Sequence, residues 1–209
     1  MEAWLKAALV AHPCKALDGG VFRTAPIRVS FPALFEPKQQ TDEQGNVNGK
    51  PKYGLTMLIP LGADITVLRQ AHAAMEAKEF PDYKGKLFKP FRDQGDKGHL
   101  AGYTSGSLFF GARTEGPPQV RKAVNGKLVA VRDPADVYAG CWALVTVHLF
   151  AFGKKKDAKQ RGVTFGLNNV LKIRDDEPFG GGGTDADAEF ADAPVDLNDG
   201  SGVTIDDLM

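Results

Sequence analysis

Aromatic and cationic side chains are interleaved at several places along this chain. Between Cys141 and Phe152 two faces alternate. Cys141, Ala143, Val145, Val147, Leu149 and Ala151 are small or aliphatic, as a barrel interior requires, whereas Trp142, Leu144, Thr146, His148, Phe150 and Phe152 mix large aromatics with polar groups. A mixed face makes a poor second core but a usable platform for bases, each stack being worth ~1–3 kcal/mol whatever the base. The alternative for Phe150 and Phe152 is to cover the barrel's end or meet a helix. Next comes Lys154-Lys155-Lys156-Asp157-Ala158-Lys159-Gln160-Arg161, five cations in eight residues. As the hairpin loop between the last two strands of a barrel it would hold phosphates while the aromatics hold bases; otherwise it is a solvated loop. The same interleaving recurs at Arg28 near Phe31, at Lys52-Tyr53 and at Lys89-Pro90-Phe91-Arg92. Phe31 is expected to face the core with Ile27 and Val29, leaving Arg28 as the contact there. Only an unpaired base offers its face to a ring, so the pattern favours single strands over duplexes.

Other chemistry is weaker. Asp93, Asp96 and His99 beside Arg92 have a spacing that could hold a metal for a nuclease, but a polar turn with Gly95 and Gly98 explains them more simply. His72 falls on the apolar side of a helix, and His12 and His148 have no partner in sequence. The run Gly180 to Gly183 lacks the lysine and the strand-to-helix context of a phosphate loop. No serine has a glycine-flanked elbow, and Cys14 and Cys141 form no disulfide or zinc pattern. Nothing matches a helix-turn-helix, a zinc finger or an RNP motif. The chain therefore reads as a binding protein, not an enzyme, with no cofactor and no metal; a metal-dependent nuclease is the alternative.

The elements that must position these residues are mostly strands. Ile27, Val29, Phe31, Ala33 and Phe35 alternate with Arg28, Ser30, Pro32 and Leu34, and Tyr53, Leu55, Met57 and Ile59 alternate before Pro60. Asp64 is placed to cap a helix on which Ile65, Leu68, Ala71, His72 and Met75 share one face, ending near Phe80-Pro81. Lys84 to Arg92 and Tyr103 to Arg113 are further strand candidates, Asn125-Gly126 signals a hairpin, and Cys141–Phe152 and Val163–Arg174 complete the count. About seven short strands and one helix without a βαβ rhythm predict a mostly β fold. The expectation is an OB-like antiparallel barrel with one inserted helix, other β-barrels or sandwiches remaining open. Residues 1–25, where Trp4, Leu5, Ala8 and Leu9 could make a turn or two of helix, are expected to be a flexible N-terminal extension; 26–178 form the barrel domain; 179–209 are a Gly-rich linker and a disordered acidic tail.

Charge separates these parts. The chain carries 26 cationic and 26 acidic residues, yet every cation lies in residues 1–174, and 11 acids with no cation lie in 175–209. A cationic body tied to an acidic tail points toward nucleic acid, the tail acting as an electrostatic rival of DNA. The tip Asp206-Asp207-Leu208-Met209, acidic and apolar together, suits docking in a partner's groove. No run of ~20 apolar residues is present, so a cytoplasmic protein with no membrane association is expected. A homodimer stays open.

Five stretches add a family likeness: Arg28-Val29-Ser30-Phe31-Pro32-Ala33-Leu34-Phe35-Glu36-Pro37, Lys52-Tyr53-Gly54-Leu55, Tyr138-Ala139-Gly140-Cys141-Trp142, Phe150-Ala151-Phe152-Gly153 and Val163-Thr164-Phe165-Gly166-Leu167-Asn168-Asn169-Val170. Together they resemble the replicative single-stranded-DNA-binding proteins of tailed phages, over roughly residues 26–178. The resemblance implies an OB fold and single-stranded DNA binding during phage replication or recombination in the bacterial host. It also implies an acidic tail that contacts other replication proteins, such as a polymerase, helicase or primase.

Overall fold

The computed structural model describes residues 2–39, 47, 49–155 and 157–180. In chain order the elements are α1 (Ala3–Ala11), β1 (Lys15–Ala16), β2 (Val21–Arg23), β3 (Ile27–Lys38), β4 (Lys52–Leu58), α2 (Thr66–Glu79), β5 (Arg92–Asp93), β6 (Leu108–Thr114), β7 (Gln119–Val124), β8 (Lys127–Ala130), β9 (Trp142–Phe152) and β10 (Gly162–Arg174). Strands β9, β3, β4, β6 and β10 pair in that order, and β10 pairs with β9 to close a five-stranded barrel. Closure removes the open edges that a small sheet would otherwise present. All these pairings are antiparallel except β6 with β10, where Ala112 lies beside Phe165 and Arg113 beside Gly166. Among the described residues there are two α-helices, α2 being the inserted helix and α1 the short N-terminal one that Trp4, Leu5, Ala8 and Leu9 suggest.

The barrel interior follows the alternation. Cys141 and, on β9, Ala143, Val145 and Val147 share the core with Val29 and Met57, all with no exposure, so the small-residue face does point inward. α2 begins where Asp64 Oδ1 accepts the Thr66 amide at 2.8 Å, packs on β9 and β10, and delivers the fully buried Leu68. Phe91 belongs to this core: its ring stands 5.3 Å from Phe110 and 5.5 Å from Phe165, edge-on to both. The β7–β8 hairpin turns at Asn125-Gly126, both with positive φ, as that dipeptide favours. Lys84 to Arg92 is not a strand; only Phe88 bridges to Gly162 and Arg92 opens β5.

The N-terminal 25 residues pack on the barrel instead of trailing from it. β3 pairs with β9 only at Ile27 and Arg28. β2 takes the edge this leaves, placing Val21, Phe22 and Arg23 beside His148, Val147 and Thr146. Thr24 then donates its amide to Val145 O and accepts the Val145 amide at 3.0 Å through its hydroxyl. α1 folds over the outer side of β9, with Trp4 edge-on to Trp142 at 5.0 Å and the Arg174 guanidinium 4.4 Å from the Trp4 ring.

After β10 the chain is clasped back onto the barrel. Tyr138 donates its hydroxyl to Asp175 at 2.8 Å, the Trp142 indole donates to Asp176 at 2.6 Å, and the Phe179 amide donates to Ala139 O. Residues 181–209, and with them Asp206, Asp207, Leu208 and Met209, lie outside the described residues, as does Lys156. Among the described residues no helix is long and apolar enough to cross a membrane.

Candidate nucleic-acid interface

Strands β3, β4 and β6 turn one face outward, and register assigns its rows. Ser30 lies beside Thr56 and Thr56 beside Gly111; one row over, Ala33 lies beside Gly54, Gly54 beside Arg113, Arg113 beside Gly166 and Gly166 beside His148. Glycines at 54, 111 and 166 make this a shallow lane. A methyl at Gly54 would stand 2.9 Å from Arg113 Cγ, one at Gly166 would overlap the His148 ring, and one at Gly111 would meet only Leu55 O at 3.8 Å. Arg113 and His148 thus lie flat across the sheet because their neighbours have no side chain.

One end of the lane is built around Phe31. β3 shifts register between Ser30 and Ala33, and there Phe31 adopts φ +46°. The bulge turns Phe31 outward, 57% exposed, beside Ser30, which Tyr103 covers on the same outer face with the two hydroxyls 3.2 Å apart. The expectation that Phe31 faces the core is therefore reversed: its odd position obeys the alternation only if no residue is inserted before it. Tyr103 stands edge-on to Phe109 at 5.6 Å. Burial pushes the Tyr103 phenol up, against the pull of its Ser30 bond and of the Arg92 charge, so it remains protonated at neutral pH. Lys97 lies 6.0 Å from the Phe31 ring and 5.9 Å from Phe109, and the Arg92 guanidinium covers Phe109 at 4.5 Å.

Three cations gather at this end. Among the described residues Arg92, Lys97 and Arg113 have no carboxylate within salt-bridge distance, whereas Arg28, Lys52, Lys89, Lys122, Lys154 and Lys172 each have one. Desolvation, then the charge of Arg92, lowers the Arg113 pKa. Two neighbouring guanidiniums without a counter-charge, beside an exposed ring, form a site complementary to an anionic polymer that carries flat groups.

The residues singled out in the sequence divide accordingly. Arg92, His148 and Phe150 lie on or beside the lane; Phe150 is 40% exposed and its ring stands 6.2 Å from His148. Trp142 does not offer a stacking face: it is 6% exposed, roofed by Trp4 and bonded to Asp176, because α1 and the clasp cover the lower half of β9. Phe91 is likewise withdrawn into the core. Phe152 stands edge-on to Phe88 at 5.7 Å. Arg28 is occupied structurally, donating to Gly140 O and Glu177 O and lying 4.4 Å from the Phe179 ring. Lys52 pairs with Glu115, Lys89 with Glu76 and Lys154 with Glu79, and Tyr53 lies half-buried opposite Thr114. Arg161 folds back over Tyr83 at 4.7 Å and onto Ala158 O, while Lys155 and Lys159 are exposed in the β9–β10 loop. Asp93 accepts the Gly95 amide at 2.6 Å and the Gly106 amide at 3.4 Å, so it organises a turn. Among the described residues no group of three His, Cys, Asp or Glu side chains could hold a metal.

Phe31, Lys97, Tyr103 and Arg113 were missed in the sequence. The available signal was a pair of glycines, Gly54 and Gly111, on the outward positions of adjacent strands, where side chains would otherwise be expected.

No curated protein sequence matches the chain. The solved structures that resemble it include two of the single-stranded DNA-binding protein from bacteriophage Enc34. The one in complex with single-stranded DNA has 21% identity and a TM-score of 0.60, covering 81% of this chain and 98% of that one. The C-terminally truncated form has 20% identity and a TM-score of 0.60, covering 80% and 96%. At this identity they establish the shared fold. The family model described as Enterobacter phage Enc34, ssDNA-binding protein matches residues 21–200, and the chain belongs to that family of single-stranded-DNA-binding proteins.

Proposed function

We propose that this chain binds single-stranded DNA without sequence preference along the glycine-floored lane. Arg92, Lys97 and Arg113 carry phosphates, and Phe31, Tyr103 and Phe150 carry bases; Lys155 and Lys159 extend the positive surface into the β9–β10 loop. The observation that carries this reading is a group of three cations without carboxylate partners among the described residues, Lys97 lying 6.0 Å from the exposed Phe31 ring and Arg92 acting on Arg113, on the outward side of β3, β4 and β6. Strands 2 and 3 of an OB barrel are its usual ligand-bearing surface, which β4 and β6 correspond to here.

The acidic tail acts on the same lane. Phe179 is held against Gly102, next to Tyr103, so the chain leaves the barrel beside the Phe31 end. Tethering a competitor to the molecule that carries its site can give effective concentrations in the ~mM range. The tail competes with DNA when the lane is empty, and on displacement presents Asp206-Asp207-Leu208-Met209 to a replication protein in the host cytoplasm.

The test is fluorescence anisotropy with labelled oligo-dT, duplex and RNA over a salt series, with the full chain and with residues 180–209 deleted. Oligo-dT is expected to bind with a log–log salt slope near −0.7 per neutralised phosphate. Deletion should tighten binding, most at low salt. Indifference to oligo-dT in dilute buffer, with or without the tail, would overturn the reading; unchanged affinity on deletion would remove the tail from it.

A further inference from the structure

At the far end of the lane, past His148, the N-terminal strand β2 and the helix α2 enclose a groove of about 620 Å³. Its walls are Gly19, Gly20, Val21 and Phe22 on one side and Ala71 and Met75 on the other, with His148, Leu149 and Asn168 below. The volume falls within the ~300–1,000 Å³ of small-ligand sites, and the lining has their usual make-up: mostly apolar, with a few convergent polar atoms.

Two of those polar atoms have chemistry to spare. His148 Nδ1 and Asn168 Oδ1 are 2.6 Å apart. With Oδ1 accepting from His148 Nδ1, both Asn168 amide hydrogens are left as donors. Neither the Asn168 Nδ2 nor the His148 Nε2 has a partner among the described residues. Asn168 is placed here by the β10 register shift between Leu167 and Asn169, which inserts it as an extra residue opposite β9. Gly166 leaves room for the His148 ring to lie down beside it. Two sequence peculiarities thus converge on one pair of side chains that no fold requirement uses.

We infer that this groove is a nucleobase pocket, taking one base of the strand that runs along the lane and meeting its acceptor edge with the Asn168 amide. The inference rests on the single-strand reading above. Continuity decides the occupant: the His148 ring is shared between lane and groove, and Phe150 stands 6.2 Å from it, so a base stacked on Phe150 has its neighbour at the groove mouth. The walls suit a flat apolar body, Phe22 and Met75 supplying their largest apolar side chains. Every base presents at least one acceptor on an edge, thymine O2 and O4 or guanine O6 among them, so the pocket fixes register without imposing a sequence. The wall from Gly19 to Phe22 belongs to the N-terminal segment, which gives that segment a part in DNA binding besides completing the sheet.

The experiment is an oligo-dT length series across the ~4–16 nucleotides that OB folds occupy, with wild-type chain, Asn168→Asp and Ala71→Phe. Asn168→Asp keeps the oxygen that His148 bonds and removes the amide donors; Ala71→Phe fills the groove from α2. Both variants are expected to bind the shortest oligonucleotides like wild type, to lose about 10-fold on the longest, and to reach their affinity plateau about one nucleotide earlier. Matched melting temperatures and the retained short-oligonucleotide affinity together establish that each variant is folded. Length dependence identical to wild type in both variants, or an equal loss at every length, overturns the pocket while leaving the lane. Wild-type protein that bound no length at all would overturn the lane and the pocket together.

Discussion

Replacing Arg92, Lys97 and Arg113 together by glutamine tests the lane most directly. Each phosphate neutralised on a single strand contributes about 0.7 to the log–log salt slope, so three contacts contribute about 2. Extrapolated from 1 M to 0.1 M salt, that slope is about two decades of affinity, or about 3 kcal/mol at 1.4 kcal/mol per decade. Stability should change little, because the substitutions break no ion pair: the three cations have no carboxylate partner among the described residues, and burial and Arg92 both oppose the charge of Arg113. The comparison is the triple replacement of Lys52, Lys89 and Lys154, whose charges already meet Glu115, Glu76 and Glu79. It removes the same formal charge from the barrel. Anisotropy titrations of labelled oligo-dT at five or so salt concentrations give both slopes. The site triple should flatten the slope by about 2 and the comparison triple by less than half of that. Equal flattening would mean that net charge alone holds the DNA and that the lane has no privileged place.

Phe31 combines an exposed ring with a backbone conformation that side chains disfavour by about 1 kcal/mol. Phe31→Ala and Phe31→Gly should each lose about 10-fold in oligo-dT affinity, while the glycine variant melts no lower than the alanine one; a lower-melting glycine variant would refute the strain at this bulge. Trp4 and Trp142 roof each other under α1, so saturating oligo-dT is expected to leave tryptophan emission unchanged, and quenching would place DNA over the lower half of β9. The clasp predicts acid sensitivity. Asp175 is held below the ordinary 3.8 chiefly by its Lys172 bond. Asp176 is also held below it: desolvation opposes this, but the Trp142 indole, the Glu177 amide and Arg28 outweigh the penalty. A lowered folded-state pKa stabilises the fold above the unfolded value and loses that contribution as pH falls through the folded one. Melting temperature should therefore drop on acidification below about pH 4, less steeply in Asp175→Asn/Asp176→Asn, and parallel pH profiles would show that the clasp does not contribute.

The barrel was legible because its strands obey local rules. Period-2 alternation over Tyr53–Ile59 and Cys141–Phe152 assigns the inward face residue by residue, and Asn125-Gly126 and Asp64 mark a turn and a helix start from their own chemistry. What escaped is non-local. The N-terminal segment looks loose because β1 and β2 have only two and three residues, too few for a periodic signal, and β2 exists because β3 leaves part of the β9 edge open. The Phe31 bulge escaped for a related reason: one inserted residue inverts the assignment of a face, and only pairing with β4 reveals the insertion.

The candidate site was legible in kind but not in place. Counting cations near aromatics is sound physics for finding a polynucleotide binder, yet it weights Lys154 and Arg28 as heavily as Arg92, since nothing local distinguishes a paired charge from an unpaired one. Glu79 is 75 residues from Lys154, and the Glu177 carbonyl that Arg28 donates to, next to its ion-pair partner Asp176, is 149 residues away, so only the closed barrel shows which cations are already engaged. The same reasoning explains why aromatic content misleads. Trp142 and Phe91 are large rings in suitable company, but each has a protein partner to bury against, Trp4 in one case and Phe110 with Phe165 in the other. A binding surface is made of groups the fold leaves unsatisfied: a ring turned outward by a bulge, guanidiniums without carboxylates, an amide whose oxygen is occupied and whose hydrogens are not. By that criterion the surface runs from Phe31 through Arg113 to Asn168, and the glycines at 54, 111 and 166 keep a path open between them.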